Sequence, residues 1–166
     1  KKVIGYRQEP DVSKDSNKET FAALKLFIDN WRWQGIPFYL RTGKRMNEPI
    51  SIITIKFKPV PHQAFPLEAR GNWLPNMLML HIQPHMGIHL QFQAKRPGLK
   101  MMLSPVDMEF NYDDSFKSGT PEAYETLLLD IMEGDSTLFM RADQVEAAWK
   151  VIMPILHNWE TNPAVN

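Results

Sequence analysis

The sequence of 166 residues contains no cysteine. Disulfide bonds, cysteine-ligated zinc sites and thiol nucleophiles are therefore excluded. No stretch approaches the roughly 18 consecutive apolar residues that a membrane-spanning helix needs. The basic amino terminus is not followed by the apolar segment of a signal peptide. A cytosolic protein would tolerate these absences, and we expect a cytoplasmic protein without a membrane partner.

An excess of one charge is also lacking, because 19 lysines and arginines face 19 aspartates and glutamates. No global field would attract nucleic acid, and we expect no nucleic-acid partner. The phosphate-binding motifs G-x-G-x-x-G and G-x-x-x-x-G-K-[ST] are missing from the sequence. A nucleophile elbow is missing too. The residues by themselves show no catalytic machinery.

What is present is typical of one folded domain, with 43% apolar and 23% charged residues. Runs that alternate apolar and polar residues indicate half-buried strands. They lie at residues 50–58 and 88–93. Two further strands are predicted at residues 77–83, an apolar run that Pro84 ends, and around Val106 to Phe110. After residue 120 the apolar spacing becomes helical. This order predicts an α+β domain whose helices cover one face of an antiparallel sheet.

The ends of two helices can be predicted from capping residues. Thr120 and Pro121 are suited to begin the first helix, and Gly134 is suited to end it. Asp143 with Glu146 forms a variant capping box at the start of the second helix. Pro154 lies inside the second helix and is expected to kink or divide it.

The pattern of residues 20–29 (TFAALKLFID) is compatible with either a helix or a strand. Alanine, leucine and lysine favour a helix. The same residues also alternate in a way that fits a strand, and a short apolar run cannot be assigned from its period alone.

Three histidines recur at intervals of four residues, at His81, His85 and His89. On a helix they would form one stripe, but Pro84 and Gly87 interrupt any such helix. No matching set of carboxylates accompanies them. We interpret them as loop and strand histidines and expect no metal site.

Two features could contact a sugar or a phosphate. Trp31 and Trp33 could stack on a sugar ring, or they could cap the edge of a core. Residues 41–45 (RTGKR) place three cations directly after an apolar strand, where they could donate to a phosphate or a sugar hydroxyl. The alternative for this segment is a solvated basic turn.

Residues 20–44 (TFAALKLFIDNWRWQGIPFYLRTGK) resemble the most distinctive stretch of the carboxyl-terminal domain of NADP-dependent glucose-6-phosphate dehydrogenases. The similarity continues in the family's order through residues 82–88, 94–98, 105–112 and 121–149, and it is weakest at 59–76. The resemblance implies a large, mainly antiparallel sheet with helices on one face and a strand at 20–29. It also implies homodimers or dimers of dimers that associate through the sheet.

The family oxidises D-glucose 6-phosphate to 6-phosphoglucono-1,5-lactone with reduction of NADP, in the pentose phosphate pathway. In complete members an amino-terminal Rossmann domain binds NADP, and a His-Asp pair in an R-I-D-H-Y-L-G-K-E type motif removes the C1 hydroxyl proton. Neither the glycine motif of a Rossmann domain nor the R-I-D-H-Y-L-G-K-E type motif occurs in these residues. The resemblance thus implies that residues 1–166 are the single carboxyl-terminal domain, without catalytic residues or a metal and inactive in isolation. The alternatives are a stand-alone sugar-phosphate-binding or regulatory module and a purely structural assembly domain.

The resemblance also implies two substrate-binding residues. Lys44 matches the lysine of the family's R-T-G-K motif, and Gln83 matches the glutamine of its I-Q-P motif; both positions contact glucose 6-phosphate. A lysine is a cationic donor, and an amide both donates and accepts. The family usually has a second basic residue five positions after the lysine, where this chain has Pro49. Two alternatives follow: substrate affinity is weaker than in the family, or Arg45 replaces the second cation.

Arg41 matches one position of a second, structural NADP site that some animal members hold. The other contacts of that site are replaced here by Ile50, Thr54, His81 and Gln91. We therefore expect no structural NADP.

Overall fold

The computed structural model describes residues 4–59, 74–116 and 122–162. The chain forms two compact units, one made of residues 1–44 and 121–166 and the other of residues 45–120. The described part of the first unit holds a two-stranded sheet and two long helices, and that of the second holds a four-stranded sheet. All strand pairs are antiparallel, and the predicted α+β class is confirmed.

The sheet of the first unit consists of β1 (Phe21–Phe27) and β2 (Pro37–Gly43), with Phe21 opposite Gly43. The side chains of β1 alternate between exposed and half-buried. The segment that propensity left open is therefore a strand, as the resemblance implied, because pairing and burial on one face outweigh local helix preference. Gly35 turns the chain between the two strands with φ +72°, a conformation that favours glycine.

The sheet of the second unit has the order β3-β4-β5-β6. Its strands are β3 (Ser51–Lys56), β4 (Met77–Gln83), β5 (Gly87–Lys95) and β6 (Leu103–Asn111). Each of the four predicted strands coincides with one of these strands. The alternating runs were informative because a period of two is typical of a pleated backbone. The short helix α1 (Tyr112–Ser115) follows β6.

The first unit also contains a short 3₁₀ helix (Tyr6–Gln8) and the helices α2 (Ala123–Glu133) and α3 (Ala142–Thr161). Gly134 ends α2 in the left-handed conformation, as predicted. Glu122 is the N-cap of α2, and the predicted Thr120 and Pro121 lie outside the described residues. Within the described ranges, no helix has the length and apolar character to cross a membrane.

The predicted start of α3 at Asp143 is wrong by two residues. Arg141 is the N-cap, and its backbone N–H donates to Gln144 Oε1 at 3.3 Å. Gln144 thus supplies the acceptor that the prediction placed later in the sequence. Asp143 lies in the first turn, where a carboxylate is favoured by the helix dipole and pairs with Arg141 at 2.8 Å. Pro154 does not divide α3, which continues past it to Thr161.

Candidate functional site

Lys44 follows the last residue of β2. Its backbone N–H donates to the carbonyl oxygen of Thr20 at 2.8 Å, which extends the β1–β2 pairing by one residue. The residue itself is exposed. The backbone is therefore held by the sheet while the ammonium group is accessible to a ligand.

Arg45, the next residue, has φ +52°, a left-handed conformation that is uncommon outside glycine. The extended backbone therefore stops at Lys44, and the chain turns at once. Arg41 lies earlier, within β2 opposite Ala23. Pro49, which stands where the family places a second cation, is exposed in the loop before β3.

Gln83 is the last residue of β4 and is also exposed. Its side-chain Nε2 donates to Ser51 Oγ at 3.0 Å, and Ser51 lies directly opposite on β3. The Gln83–Pro84 peptide bond is cis. Gln83 thus ends β4 and Lys44 directly follows β2, and both side chains are accessible.

The predicted substrate residues belong to different units of the chain. Lys44 is part of the first unit, and Arg45 and Gln83 are part of the second. The structure defines the position of each residue within its own unit. An open cavity of about 340 Å³ at the β5–β6 turn, lined by residues 96–100 and Met102, includes none of the three.

The three histidines lie in strands and a turn, as predicted. His81 is in β4 and His89 is in β5, and His85 lies between them. His85 Nδ1 is 3.0 Å from Asp113 Oδ2, and His89 Nε2 is 2.7 Å from Asp107 Oδ1. Each of these two rings has its own carboxylate. Among the described residues, no group of three or more histidine and carboxylate side chains is arranged to hold a metal ion.

The contact of Asp107 was not predicted from the sequence. Its carboxylate accepts hydrogen bonds from His89 and from Gln91 Nε2, the latter at 3.3 Å, and these contacts hold the pKa of Asp107 below its usual value. Gln91 and Asp107 are opposite each other across β5 and β6. Only that register brings them together, and a sequence pattern does not reveal register between strands.

The two tryptophans differ in their surroundings. Trp33 is 36% exposed, and its ring packs edge-on against Phe38 with 5.3 Å between the ring centroids. Trp31 is 104% exposed. The structure supports the core-edge interpretation for Trp33, and it leaves the ring of Trp31 in solvent.

Comparison with known proteins identifies the family. The family model described as glucose-6-phosphate dehydrogenase, C-terminal domain, matches residues 1–166. Glucose-6-phosphate 1-dehydrogenase of Mycolicibacterium smegmatis is 48% identical over 158 residues, covering 95% of this chain and 32% of the relative. The enzyme of the same name from Chlamydia pneumoniae is 46% identical over 160 residues, covering 95% of this chain and 31% of the relative.

Solved structures agree. A glucose-6-phosphate dehydrogenase in complex with its substrate glucose-6-phosphate superposes with a TM-score of 0.79 at 36% identity, over 89% of this chain and 30% of that one. Glucose-6-phosphate 1-dehydrogenase from Mycobacterium avium gives a TM-score of 0.75 at 33% identity, over 93% of this chain and 32% of that one. The chain spans about a third of the length of these relatives. It belongs to the glucose-6-phosphate dehydrogenase family, in which it corresponds to the carboxyl-terminal domain.

Proposed function

We propose that the protein containing this chain is a glucose-6-phosphate 1-dehydrogenase. It oxidises D-glucose 6-phosphate to 6-phosphoglucono-1,5-lactone and reduces NADP, as a cytoplasmic enzyme of the pentose phosphate pathway. The family match over residues 1–166 is the observation that carries this proposal. The likeness to a structure named as a complex with glucose-6-phosphate supports the assignment of glucose 6-phosphate as the substrate.

Within this enzyme, residues 1–166 act as a carboxyl-terminal domain that completes the substrate pocket. Lys44 offers a cationic donor directly after β2, and Gln83 offers an amide at the end of β4. A charge-assisted hydrogen bond suits a phosphate, and an amide suits a sugar hydroxyl. Arg45 is the second candidate cation. Association into homodimers or dimers of dimers through the sheet is part of the same proposal.

As the family resemblance implies, the NADP of the reaction is bound mainly by an amino-terminal Rossmann domain, which also supplies the catalytic His-Asp pair. Residues 1–166 themselves contain no glycine-rich phosphate loop. A second, structural NADP does not fit the residues present. Of the positions expected to bind it, only Arg41 has a permanent charge, and the Gln91 amide already donates to Asp107. We therefore propose that these residues bind no second, structural NADP.

The assignment is tested by following NADPH formation at saturating glucose 6-phosphate and NADP. The complete polypeptide is expected to turn over, and residues 1–166 expressed alone are expected to produce no NADPH. Circular dichroism and thermal unfolding of the isolated segment check that it is folded. Clear turnover by the segment would contradict the placement of the catalytic residues elsewhere. A complete polypeptide that binds the sugar phosphate without oxidising it would instead be a binding or regulatory protein.

Gln83→Ala in the complete polypeptide is expected to raise KM for glucose 6-phosphate about 2- to 10-fold with little change in kcat. The reason is that one neutral hydrogen bond contributes about 0.5–1.5 kcal/mol. Initial rates against substrate concentration measure both constants. Gln34→Ala, at an exposed glutamine in the β1–β2 turn, is the matched control and leaves KM unchanged. An unchanged KM for Gln83→Ala would remove Gln83 from the substrate site.

A further inference from the structure

The side chain of Gln83 is held by a residue on the neighbouring strand. Ser51 and Gln83 are directly opposite in the β3–β4 pair, and Gln83 Nε2 donates to Ser51 Oγ at 3.0 Å. Directly opposite side chains on antiparallel strands are close enough to interact. Ser51 is half-buried, whereas Gln83 is exposed. The serine is thus the more fixed member of the pair.

An irregularity in the strand pairing places Ser51 at this position. From Lys56 to Ile52 the pairing is regular, and Ile52 lies opposite His81. Regular pairing would put Ser51 opposite Ile82. The register shifts between Ser51 and Ile52, so Ser51 lies opposite Gln83 instead. Such bulges redirect side chains and are frequent beside functional sites.

The structure places the nitrogen end of the Gln83 amide against the serine hydroxyl, which can accept its hydrogen bond. Gln83 Nε2 is directed at Ser51, which leaves Oε1 at the outer end of the side chain. Among the described residues, Oε1 accepts no hydrogen bond. A carbonyl oxygen accepts from a sugar hydroxyl and repels a phosphate oxygen, which is itself an acceptor.

We propose that Ser51 is a positioning residue that orients the Gln83 amide, so that Oε1 accepts a hydrogen bond from a hydroxyl group of the sugar ring. This inference rests on the proposed function of Gln83 as a substrate contact. Holding the amide before the substrate arrives lowers the ordering cost that binding would otherwise include. The phosphoryl group is then left to the cationic donors.

The first test uses a matched pair of variants in the complete polypeptide. Ser51→Thr keeps the hydroxyl group, and Ser51→Val has nearly the same shape without it. Ser51→Val is expected to raise KM for glucose 6-phosphate roughly 3-fold with kcat within about 2-fold, whereas Ser51→Thr stays near the unmodified enzyme. Equal KM values for the two variants would overturn the proposal. Because valine and threonine are both β-branched, any loss of stability caused by branching is common to the two variants and does not affect the comparison.

A second variant tests the hydroxyl group without β-branching. Ser51→Ala is expected to raise KM as Ser51→Val does. Ser104→Ala, at a half-buried serine of β6 opposite Ala94, is the control and leaves KM unchanged. A rise of similar size for the control would show a general effect on the sheet and would contradict a specific role for Ser51.

A double-mutant cycle separates this inference from the proposed function. With Gln83→Ala already present, Ser51→Ala is expected to add no further rise in KM, since both changes remove one interaction. A full further rise would show that Ser51 acts independently of Gln83. If Gln83→Ala raises KM but Ser51→Ala does not, the positioning role fails while the substrate role of Gln83 stands. If Gln83→Ala has no effect, the substrate role itself fails.

Inhibition by inorganic phosphate reports the orientation of the amide. Phosphate competes with glucose 6-phosphate but has no sugar hydroxyl. Its inhibition constant is therefore expected to be the same in Ser51→Ala and the unmodified enzyme, while KM for the sugar phosphate differs. A parallel rise of both constants would show that the amide faces the phosphoryl group and would overturn the proposed orientation.

Discussion

Lys44→Ala in the complete polypeptide is expected to raise KM for glucose 6-phosphate roughly 10- to 100-fold. A hydrogen bond to a charged group contributes about 1.5–3 kcal/mol, and each 1.4 kcal/mol corresponds to a factor of ten. The backbone of Lys44 is fixed by its hydrogen bond to Thr20 at 2.8 Å, so truncation of the side chain leaves β2 in place. Steady-state kinetics with glucose 6-phosphate measure the effect.

Three companion variants make this result specific. Lys56→Ala removes an exposed lysine at the end of β3 and is expected to leave KM unchanged. Lys44→Arg keeps the charge and is expected to recover part of the affinity, because a planar guanidinium does not reproduce the position of an ammonium group. Arg45→Ala tests the neighbouring cation, and a rise equal to that of Lys44→Ala would assign both to the substrate. An unaltered KM in Lys44→Ala would show that Lys44 does not belong to the proposed substrate site.

The phosphate contact can be distinguished from a hydroxyl contact. If Lys44 binds the phosphoryl group, its removal raises the inhibition constant of inorganic phosphate together with KM. The effect on KM should also shrink as ionic strength rises, because salt screens an exposed ion pair. A phosphate inhibition constant that does not change would place Lys44 on the sugar ring.

The strands were predictable where apolar residues alternate along the chain or where a short apolar run is ended by proline. Residues 77–83 could be assigned to β4 to the residue because apolar side chains and the following Pro84 mark its extent. Residues 20–29 could not be assigned in this way, since their alanines, leucines and lysine fit a helix equally well. The partner strand β2 decides the outcome, and that information lies about ten residues away in the sequence.

The candidate site was predictable only in part. Lys44 and Gln83 could be selected because they fall in short motifs shared with a family. Ser51 gave no such signal, because its position opposite Gln83 depends on a one-residue shift in pairing. The prediction of the first residue of α3 was wrong for a related reason. The sequence offers Asp143 with Glu146 as a capping box, whereas in the structure Arg141 is the N-cap and Gln144 accepts from its backbone N–H.

The second large effect is expected at Gly87, the first residue of β5. A Cβ added there would lie 2.8 Å from the backbone carbonyl oxygen of Phe110, and backbone in a sheet cannot move aside as a flexible side chain can. Gly87 is held from both sides, opposite His81 and Asn111. Gly87→Ala must therefore shift one strand of the pair. Overpacking of this kind costs about 1–3 kcal/mol.

A series of three glycine-to-alanine variants tests this reasoning by thermal unfolding of the complete polypeptide. Gly5→Ala is expected to have little effect, because the added Cβ would meet only Gln8 Oε1 at 3.8 Å. Gly134→Ala has open space but φ +74°, and it is expected to lose about 1 kcal/mol. Gly87→Ala is expected to have the lowest unfolding temperature of the three. Because Gly87 begins the strand that follows Gln83, the same variant should also raise KM for glucose 6-phosphate. A Gly87→Ala enzyme as stable as Gly5→Ala would show that β5 and β6 are not packed as closely at this point as the structure has them.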